Sequence, residues 1–349
     1  MEYRQCGYTD LRLSVIGTGC WAFGGGEYWG PNDQSDTNAV VVAAIEAGIN
    51  YFDTAEAYNE GRSETSLGIA IRGIQRDKIV IGSKISPSHC YPQLLEQHCD
   101  ASLKRLGTDY LDLYMIHWPI HPHSIKHFTN DESVISHPPL LEEALGTMEM
   151  LKQKGKIREI GISNFSSLRM KDIPAAMKIA ANELPYNLLC RAIEFDTLPH
   201  CQKKRVGIIG YMTLLQGILT DLYRSLDDVP EWQRRTRHFK AAGSPLSRHG
   251  EKGFEEETGN ALSAIRMIAA EEGLSVASLA TRWAIANPAI TCALIGARNI
   301  KKLEENIRAA EGRLSTTVLE RLNEVTDELK NKMTAHFDYY DSKENDRTL

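Results

Sequence analysis

The segment Asp53-Thr54-Ala55-Glu56-Ala57-Tyr58 follows a short apolar run and carries a carboxylate and a phenol that can exchange protons. Two later stretches, residues 79–84 and 111–117, have the same form, because each is a short apolar run that ends in one ionisable residue, Lys84 or His117. The carboxyl ends of neighbouring parallel strands meet at one edge of a sheet. If the three runs are such strands, Asp53, Tyr58, Lys84 and His117 converge at a single site.

The whole chain alternates short β-branched runs with amphipathic stretches. Strands are predicted at residues 15–17, 50–53, 79–84, 111–117, 159–163, 184–187, 207–211 and 291–295. Helices are predicted at 37–47, 63–71, 94–106, 140–154 and 167–181, near His200, at 259–272 with 276–286, and at 301–309. Eight strands, each followed by a helix, predict an α/β protein built as a (β/α)8 TIM barrel.

A barrel of about 250 residues leaves part of the 349-residue chain for additional segments. We place the barrel at about residues 14–310 of a single domain that spans residues 1–349. The additional segments are an N-terminal β-hairpin (3–13), two long βα loops (118–139 and 220–258) and a polar C-terminal tail (about 336–349). Long loops at the mouth of a barrel usually serve binding, whereas disorder is the default expectation for the tail.

The composition is that of a globular protein with a large core, since 42% of the residues are hydrophobic and 25% are charged. A net charge of -6 and a pI near 6.0 argue against a nucleic-acid partner and a polybasic membrane anchor. The sequence has no apolar stretch of membrane-spanning length and no signal-peptide core. Its seven scattered cysteines suit free thiols in a reducing compartment. We therefore expect a cytoplasmic protein.

The active site of a (β/α)8 barrel lies at the carboxyl ends of the strands. The predicted strands place Asp53, Lys84, His117, Ser163 and Asn187 there. Each of these residues alone could be a polar strand-end group that a neighbouring loop satisfies. Five of them in register instead favour a shared chemical site.

Tyr58 is a poor proton donor at neutral pH unless its phenolate is stabilised, since the pKa of tyrosine is about 10. An ammonium about 4 Å away contributes roughly 4 kcal/mol at an effective dielectric constant of 20, or about 3 pKa units before desolvation. Lys84 is placed to do this, and Asp53 supplies the counter-charge that a buried ammonium requires. His117, neutral and fixed by a second hydrogen bond, could hold a carbonyl oxygen in line with the phenol. Such a site protonates a carbonyl oxygen while its carbon receives a hydride.

Six segments resemble the aldo-keto reductase family in order and spacing. They are Asp53-Thr54-Ala55-x-x-Tyr58, Ser83-Lys84, Ile116-His117-Trp118-Pro119, Gly161-Ile162-Ser163-Asn164-Phe165, Tyr186-Asn187-Leu188-Leu189, and Ile295-Gly296-Ala297-Arg298-Asn299 with Leu303-x-x-Asn306. The resemblance implies that Tyr58 is the general acid in reduction and the base in oxidation, tuned by Lys84 and Asp53, and that His117 orients a small carbonyl substrate. Trp21 and Trp118 are expected to line the substrate pocket as parts of an aromatic rim with Tyr28 and Trp29.

The resemblance also implies a nicotinamide dinucleotide that lies extended across the barrel mouth. Its carboxamide is expected at Ser163 and Asn164, and its nicotinamide ring against Tyr211. The residues expected at its inner edge are Cys20, Trp21 and Asp53, and those at its pyrophosphate are Leu214, Gln216 and Gly217. Glu183 stands where the family usually has a glutamine that contacts the amide. An ionised glutamate there accepts a hydrogen bond but cannot donate one.

Arg298 and Lys302, at the start of the last barrel helix, place two cations near a positive helix N-terminus, which suits a phosphate. A solvated helix face is the alternative. The resemblance implies that these residues, with Gly296, Glu305 and Asn306, surround the 2′-phosphate and adenine. NADP is therefore favoured over NAD.

Two other functional interpretations deserve comparison with an enzyme of this kind. The histidine-rich stretch of residues 117–137 could suggest the metal site of a metal-dependent barrel hydrolase. Its prolines indicate an irregular loop, however, and Lys84 competes electrostatically beside His117, so we expect no metal. The chain also resembles potassium-channel β subunits, which use this fold to bind the cofactor and a membrane partner. A nucleotide-sensing regulatory subunit is therefore the alternative, although the complete set of Asp53, Tyr58, Lys84 and His117 favours the reductase.

Overall fold

The computed structural model describes residues 1–349, and eight of its ten strands form a closed barrel in which neighbouring strands are parallel. The strands are β1 Tyr3–Gln5, β2 Arg12–Ser14, β3 Ile16–Gly19, β4 Tyr51–Asp53, β5 Val80–Ile85, β6 Leu111–Ile116, β7 Ile157–Ser163, β8 Ala181–Pro185, β9 Gly207–Tyr211 and β10 Ile290–Gly296. Strands β3 to β10 follow one another around the barrel, and β10 closes it against β3. The predicted (β/α)8 barrel is confirmed.

The α-helices surround this barrel and cover its termini. They are α1 Gln34–Glu46, α2 Arg62–Ala70, α3 Pro92–Leu106, α4 Pro122–Ile125, α5 Glu132–Ser136, α6 Leu141–Gln153, α7 Thr197–Lys204, α8 Glu255–Glu271, α9 Val276–Ala286, α10 Ile300–Ala310 and α11 Thr316–Met333. None of them is both long enough and apolar enough to cross a lipid bilayer. All seven cysteines are buried free thiols.

The N-terminal hairpin closes the amino-terminal end of the barrel, as β1 pairs antiparallel with β2. Cys6, Leu11 and Leu13 from this region are buried in one cluster with side chains that fill the barrel interior. Arg4 fastens the hairpin by donating to the carbonyl oxygens of Ile285 and Ile290, at 2.7 Å each. The barrel is therefore accessible only from the opposite end, where the strands have their carboxyl termini.

The structure departs from the predicted pattern between β7 and β8. The helix predicted at residues 167–181 is wrong, because only Arg169–Asp172 form a 3-10 turn before Pro174, and proline is incompatible with a helix interior. The strand begins at Ala181, three residues before the predicted strand 184–187. Asn187 consequently lies two residues beyond the end of the strand and not at its last position, and its side chain donates to the Met212 carbonyl at 2.8 Å.

Helix α11 lies in a region to which the sequence analysis assigned no element. Its buried side chains include Val318, Leu322, Leu329 and Met333. They recur at intervals that keep them on one face of an α-helix. This periodic signal in the sequence predicts the helix that the structure shows.

The C-terminal tail is folded against the barrel mouth. Phe337 and Tyr339 are buried in the main core, and the backbone N–H of Ser166 donates to the Thr348 carbonyl. The Arg347 guanidinium donates to both carboxylate oxygens of Asp338 at 2.7 Å. The expectation of disorder is wrong, because two aromatic anchors and a bidentate ion pair compensate for the entropy of ordering the segment.

Candidate active site

Side-chain alternation decides which residues reach the barrel mouth. Tyr51, Met115, Ala181 and Ile209 fill the lower interior of the barrel. Gly82 and Gly161 face the same space, since a side chain added at either would meet Tyr51 or Met115. Successive side chains of a strand point to opposite faces, so the residue two positions later points into the barrel again, one layer higher. By this count the upper layer consists of Asp53, Lys84, His117, Ser163, Glu183 and Tyr211.

Lys84 is the centre of this layer and has no exposed surface (0%). Its ammonium donates to Asp53 Oδ2 at 2.6 Å, to the Thr54 carbonyl at 3.0 Å and to the Tyr58 hydroxyl at 3.1 Å. The registers of β4 and β5 place the first of these partners beside Lys84, and the turn after β4 places the third. The structure thus brings Asp53, Tyr58 and Lys84 together as predicted.

Neighbouring carboxyl groups keep Lys84 protonated, and burial makes Tyr58 a weak acid. Burial alone would lower the pKa of Lys84, but Asp53 and Glu183 outweigh it and raise that pKa. Burial raises the pKa of Tyr58 above its usual value, and the charge of Lys84 acts in the opposite direction. The charge of Lys84 lowers the pKa of Tyr58, as predicted, but desolvation raises that pKa by more.

His117 stands beside Tyr58 and is neutral. Burial and the charge of Lys84 hold the pKa of His117 well below its usual value of 6.5. The ring centroids of His117 and Tyr58 are 5.5 Å apart in an edge-on arrangement, and Phe128 is 5.8 Å away on another side. No protein group forms the predicted second hydrogen bond with Nδ1 of His117, and the ring contacts within the protein are those with Tyr58 and Phe128.

Glu56 anchors the turn that carries Tyr58. Its carboxylate accepts from the Ser86 N–H at 2.9 Å, and its two oxygens lie 2.8 Å from Nδ1 of His89 and 2.6 Å from Nδ1 of His98. These hydrogen bonds lower the pKa of Glu56 despite burial, which acts in the opposite direction. They tie the turn to the segment after β5 and to α3. The possible ligand atoms of Glu56, His89 and His98 lie within 4.8 Å of one another, whereas the histidines of the 117–137 stretch form no such group.

An aromatic wall borders Tyr58 on the side of β3. Trp21 stacks on Tyr28 with ring centroids 5.0 Å apart, and Trp29 packs edge-on against both. Asn59, in a left-handed conformation with φ of 51°, donates to the Trp21 carbonyl at 2.7 Å and so links the wall to the turn that carries Tyr58. Three of the four predicted rim residues are therefore contiguous beside Tyr58.

Trp118, the fourth predicted rim residue, lies under the C-terminal segment. The guanidinium carbon of Arg347 is 3.8 Å from the centroid of the Trp118 ring, and the Ser124 hydroxyl donates to the Arg347 carbonyl at 3.1 Å. Sequence reasoning missed this contact because Arg347 is 229 positions from Trp118 and follows a segment of polar composition. The C-terminal segment thus forms part of the border of the barrel mouth.

The residues expected to hold the nicotinamide form a hydrogen-bonded chain. The Tyr211 hydroxyl donates to Asn164 Oδ1 at 2.8 Å, and Asn164 Nδ2 donates to Ser163 Oγ at 2.9 Å. Ser163 in turn donates to the Glu183 carbonyl at 3.2 Å. The structure therefore brings these side chains together.

The segment predicted to contact a pyrophosphate, which contains Leu214, Gln216 and Gly217, is a strained turn. Gln216 has a left-handed φ of 53°, a conformation that costs a non-glycine residue about 1–3 kcal/mol and is concentrated at functional sites. Its side chain accepts from the Tyr28 hydroxyl at 2.8 Å and donates to the Tyr340 hydroxyl at 3.1 Å. Gln216 therefore connects the aromatic wall to the C-terminal segment.

The residues expected at the adenosine end lie together where β10 leads into α10. Asn299 caps this helix by accepting from the Lys302 N–H at 3.0 Å. Arg298 donates to the Pro31 carbonyl, while the ammonium of Lys302 is 2.7 Å from Glu305. At the opposite end, where the nicotinamide is expected, Cys20 has no exposed surface. The predicted group at this end is Gly296, Arg298, Lys302, Glu305 and Asn306, and Asn306 donates to the Gly296 carbonyl at 3.2 Å.

Comparison with known proteins gives a consistent result along nearly the whole chain. The sequence is 32% identical over 319 residues to the aldo-keto reductase YhdN of Bacillus subtilis (strain 168), a match that covers 87% of both chains. It is 28% identical over 355 residues to an NADH-specific methylglyoxal reductase of Escherichia coli (strain K12), which covers 95% of this chain and 100% of that relative.

Solved structures show the same barrel. An aldo/keto reductase of Klebsiella pneumoniae in complex with NADP and acetate has a TM-score of 0.69 and 28% identity, covering 93% of this chain and 96% of its own. The glycerol dehydrogenase of Gluconobacter oxydans has a TM-score of 0.73 and 26% identity, covering 93% and 95%. The sequence model of the Aldo/keto reductase family matches residues 15–327. With the fold and the resemblance of its motifs, this match shows that the chain belongs to the aldo/keto reductase family.

Proposed function

We propose that this protein is an NADP(H)-dependent reductase that converts an aldehyde or ketone to an alcohol, with Tyr58 as the proton donor. The observation that carries the proposal is the buried ammonium of Lys84, which contacts Asp53 at 2.6 Å and the Tyr58 hydroxyl at 3.1 Å. Tyr58 itself retains exposed surface at the barrel mouth. A fixed cation beneath an accessible phenol is the arrangement that a tyrosine acid requires.

Each residue of this group has a separate part in the reaction. Tyr58 transfers its proton to the carbonyl oxygen, and Lys84 stabilises the phenolate that remains. Asp53 balances the charge of Lys84, and neutral His117 donates a hydrogen bond that positions the same oxygen. A bound reduced nicotinamide supplies the hydride to the carbonyl carbon. In the reverse direction the Tyr58 phenolate accepts the proton of the alcohol.

The residues at the mouth fit an extended dinucleotide. Ser163, Asn164 and Glu183 would hold the carboxamide, Tyr211 would face the ring, and Cys20, Trp21 and Asp53 would border its inner edge. Of these, Cys20 has no exposed surface and would adjoin the ring only from behind Trp21 and Asp53. Leu214, Gln216 and Gly217 would contact the pyrophosphate. Arg298 supports the fit at the other end, because its buried Nε has no partner, whereas buried polar atoms normally have one. The aromatic wall beside Tyr58, with Trp21 and Trp118 as substrate contacts, favours a substrate with an apolar body.

The choice of NADP rests on the adenosine end. A related reductase was solved with NADP, but another relative is NADH-specific, so membership of the family leaves both cofactors possible. Arg298 and Lys302 supply two cations at the capped N-terminus of α10, which suits a 2′-phosphate. Glu305 would orient Lys302, and Gly296 and Asn306 would border the adenine.

We predict that Arg298→Ala weakens NADPH binding by roughly 10- to 100-fold, since a hydrogen bond to a charged group contributes about 1.5–3 kcal/mol. NADH binding should remain unchanged because NADH lacks the 2′-phosphate. Titration of tryptophan fluorescence with each nucleotide measures both affinities. Arg308→Ala removes the same charge from an exposed position in the last turn of α10 and should leave both affinities intact. Equal losses for NADPH and NADH in Arg298→Ala would refute a 2′-phosphate site.

The proposed activity is tested by mixing the protein with NADPH and a panel of aldehydes and ketones, while the absorbance of the reduced nicotinamide is followed. A reductase consumes NADPH only when a carbonyl compound is present. Tight NADPH binding without turnover of any compound would favour the nucleotide-sensing subunit instead. Activity that is lost on chelation and indifferent to nicotinamide would point to a metal-dependent barrel hydrolase.

A further inference from the structure

Glu183 is a buried carboxyl group without a hydrogen-bond donor for one of its oxygens. It points into the barrel one layer above Ala181 of β8, and its side chain is only 4% exposed. Its Oε2 lies 3.4 Å from the ammonium of Lys84 but has no hydrogen-bond partner. An ionised carboxylate in such a position is costly unless it is both paired and hydrogen-bonded.

Lys84 has no proton left for Glu183. An ammonium has three N–H donors, and those of Lys84 are directed to Asp53, to the Thr54 carbonyl and to the Tyr58 hydroxyl. One cation therefore faces two carboxyl groups. If both were ionised, this buried group would carry a net charge of about −1.

The other groups around Glu183 do not supply a second positive charge. Its titratable neighbours come from β4, from the turn after β4, and from β5, β9 and β10. They are Tyr51, Asp53, Tyr58, Lys84, Tyr211 and Cys292. Lys84 is the single cation among them. Burial and the charge of Asp53 raise the pKa of Glu183, and Lys84 opposes that rise.

We propose that Glu183 is a positioning residue that carries a proton at neutral pH and, when it loses that proton in alkaline solution, weakens Tyr58 as a proton donor. The inference rests on the proposed acid role of Tyr58. When Glu183 is protonated, the positive charge of Lys84 stabilises only Asp53 and the developing phenolate of Tyr58. Once the carboxyl O–H bond dissociates and its proton passes to solvent, a second anion competes with the phenolate for the same ammonium.

Protonation also accounts for a glutamate where resembling proteins usually carry a glutamine. A carboxylic acid has one O–H donor and a carbonyl acceptor, whereas a carboxylate only accepts. Protonated Glu183 therefore offers a bound carboxamide both kinds of hydrogen bond, as a glutamine does. The carboxylate form loses the donor, so alkaline conditions weaken both parts of its role together.

The kinetic test compares the pH dependence of kcat/KM for carbonyl reduction in the wild type, Glu183→Gln and Glu183→Asp. Glutamine keeps the size of the side chain but cannot ionise. In Glu183→Gln, we expect the alkaline decline of kcat/KM to begin at least about one pH unit higher than in the wild type, which corresponds to a shift of one pKa unit in the group that controls the decline. In Glu183→Asp, the decline should again begin at lower pH, because aspartate can ionise. An unshifted decline in Glu183→Gln, in enzyme that is otherwise active, would overturn the proposal.

A spectroscopic test needs no turnover. Infrared difference spectra of the ligand-free wild type and Glu183→Gln at neutral pH should contain the C=O stretch of one carboxylic acid, and this band should disappear at high pH. Glu64→Gln is the matched control, because Glu64 is also buried with a raised pKa but lies outside the catalytic group. A carboxylate signal for Glu183 at neutral pH would overturn the proposal, whereas absent turnover with the acid band present would overturn only the proposed reductase activity.

Discussion

Tyr58→Phe should lower kcat/KM for carbonyl reduction by at least about 10²-fold, the lower bound for loss of a general acid. Phenylalanine keeps the aromatic ring beside Trp21 and His117, whose centroids lie 6.0 and 5.5 Å from that of Tyr58. The substitution therefore removes the transferable proton without opening the site. Steady-state assays of NADPH oxidation measure the loss, and fluorescence titration should show NADPH affinity close to that of the wild type.

A matched control for this substitution is Tyr91→Phe. The Tyr91 hydroxyl donates to the His137 carbonyl at the surface, so its removal deletes one exposed hydrogen bond and leaves the barrel mouth intact. Turnover of Tyr91→Phe should equal that of the wild type. Unchanged turnover in Tyr58→Phe would refute the acid role, and a parallel loss of NADPH binding would show that the substitution had disturbed the site instead.

Lys84→Met should destabilise the fold as well as abolish reduction. Removing one partner of a buried ion pair typically costs about 3–5 kcal/mol, because the other charge remains buried without compensation. Here the loss of the ammonium leaves Asp53 and Glu183 facing each other and removes the stabilisation of the Tyr58 phenolate. Urea denaturation should show the loss as a lower midpoint with an unchanged slope.

The control for Lys84→Met is Lys332→Met. Lys332 also pairs with two carboxylates, Glu257 at 2.7 Å and Glu328 at 2.9 Å, but it lies at the surface. Exposed pairs contribute little, so this midpoint should barely move. Asp53→Asn combined with Lys84→Met should cost less than the sum of the two single substitutions, since it removes both partners of the 2.6 Å contact. Equal midpoints for Lys84→Met and Lys332→Met would contradict a buried, charge-coupled Lys84.

The barrel and the central contact of its mouth could be predicted because their signals are local. Each strand is a short apolar run, and its inward-facing positions follow from a period of two residues. The positions of Asp53, Lys84 and His117 at the barrel mouth therefore follow once the runs are identified as neighbouring parallel strands. The predicted start of β8 is three residues late, so Asn187 lies beyond the end of the strand rather than at its last position. Within β8 it is the Glu183 side chain that approaches the ammonium of Lys84, at 3.4 Å.

The C-terminal segment could not be predicted because its partners are distant in the sequence. Asp338 and Arg347 form a surface pattern when considered alone, and only the fold brings Arg347 over the ring of Trp118. The surroundings of His117 could not be predicted for a similar reason. Its ring packs against Phe128, and no protein group bonds to its Nδ1. Contacts of this kind depend on how loops cross the mouth of the barrel.

The barrel, the family and the types of side chain at the barrel mouth follow from the amino-acid sequence, because strand periodicity and motif spacing are properties of neighbouring residues. The tertiary structure alone decided how the single ammonium of Lys84 distributes its three hydrogen bonds, and that one oxygen of Glu183 receives none. The physical reason is that desolvation and hydrogen-bond geometry are set by groups from several strands at once. No single segment of the chain specifies them.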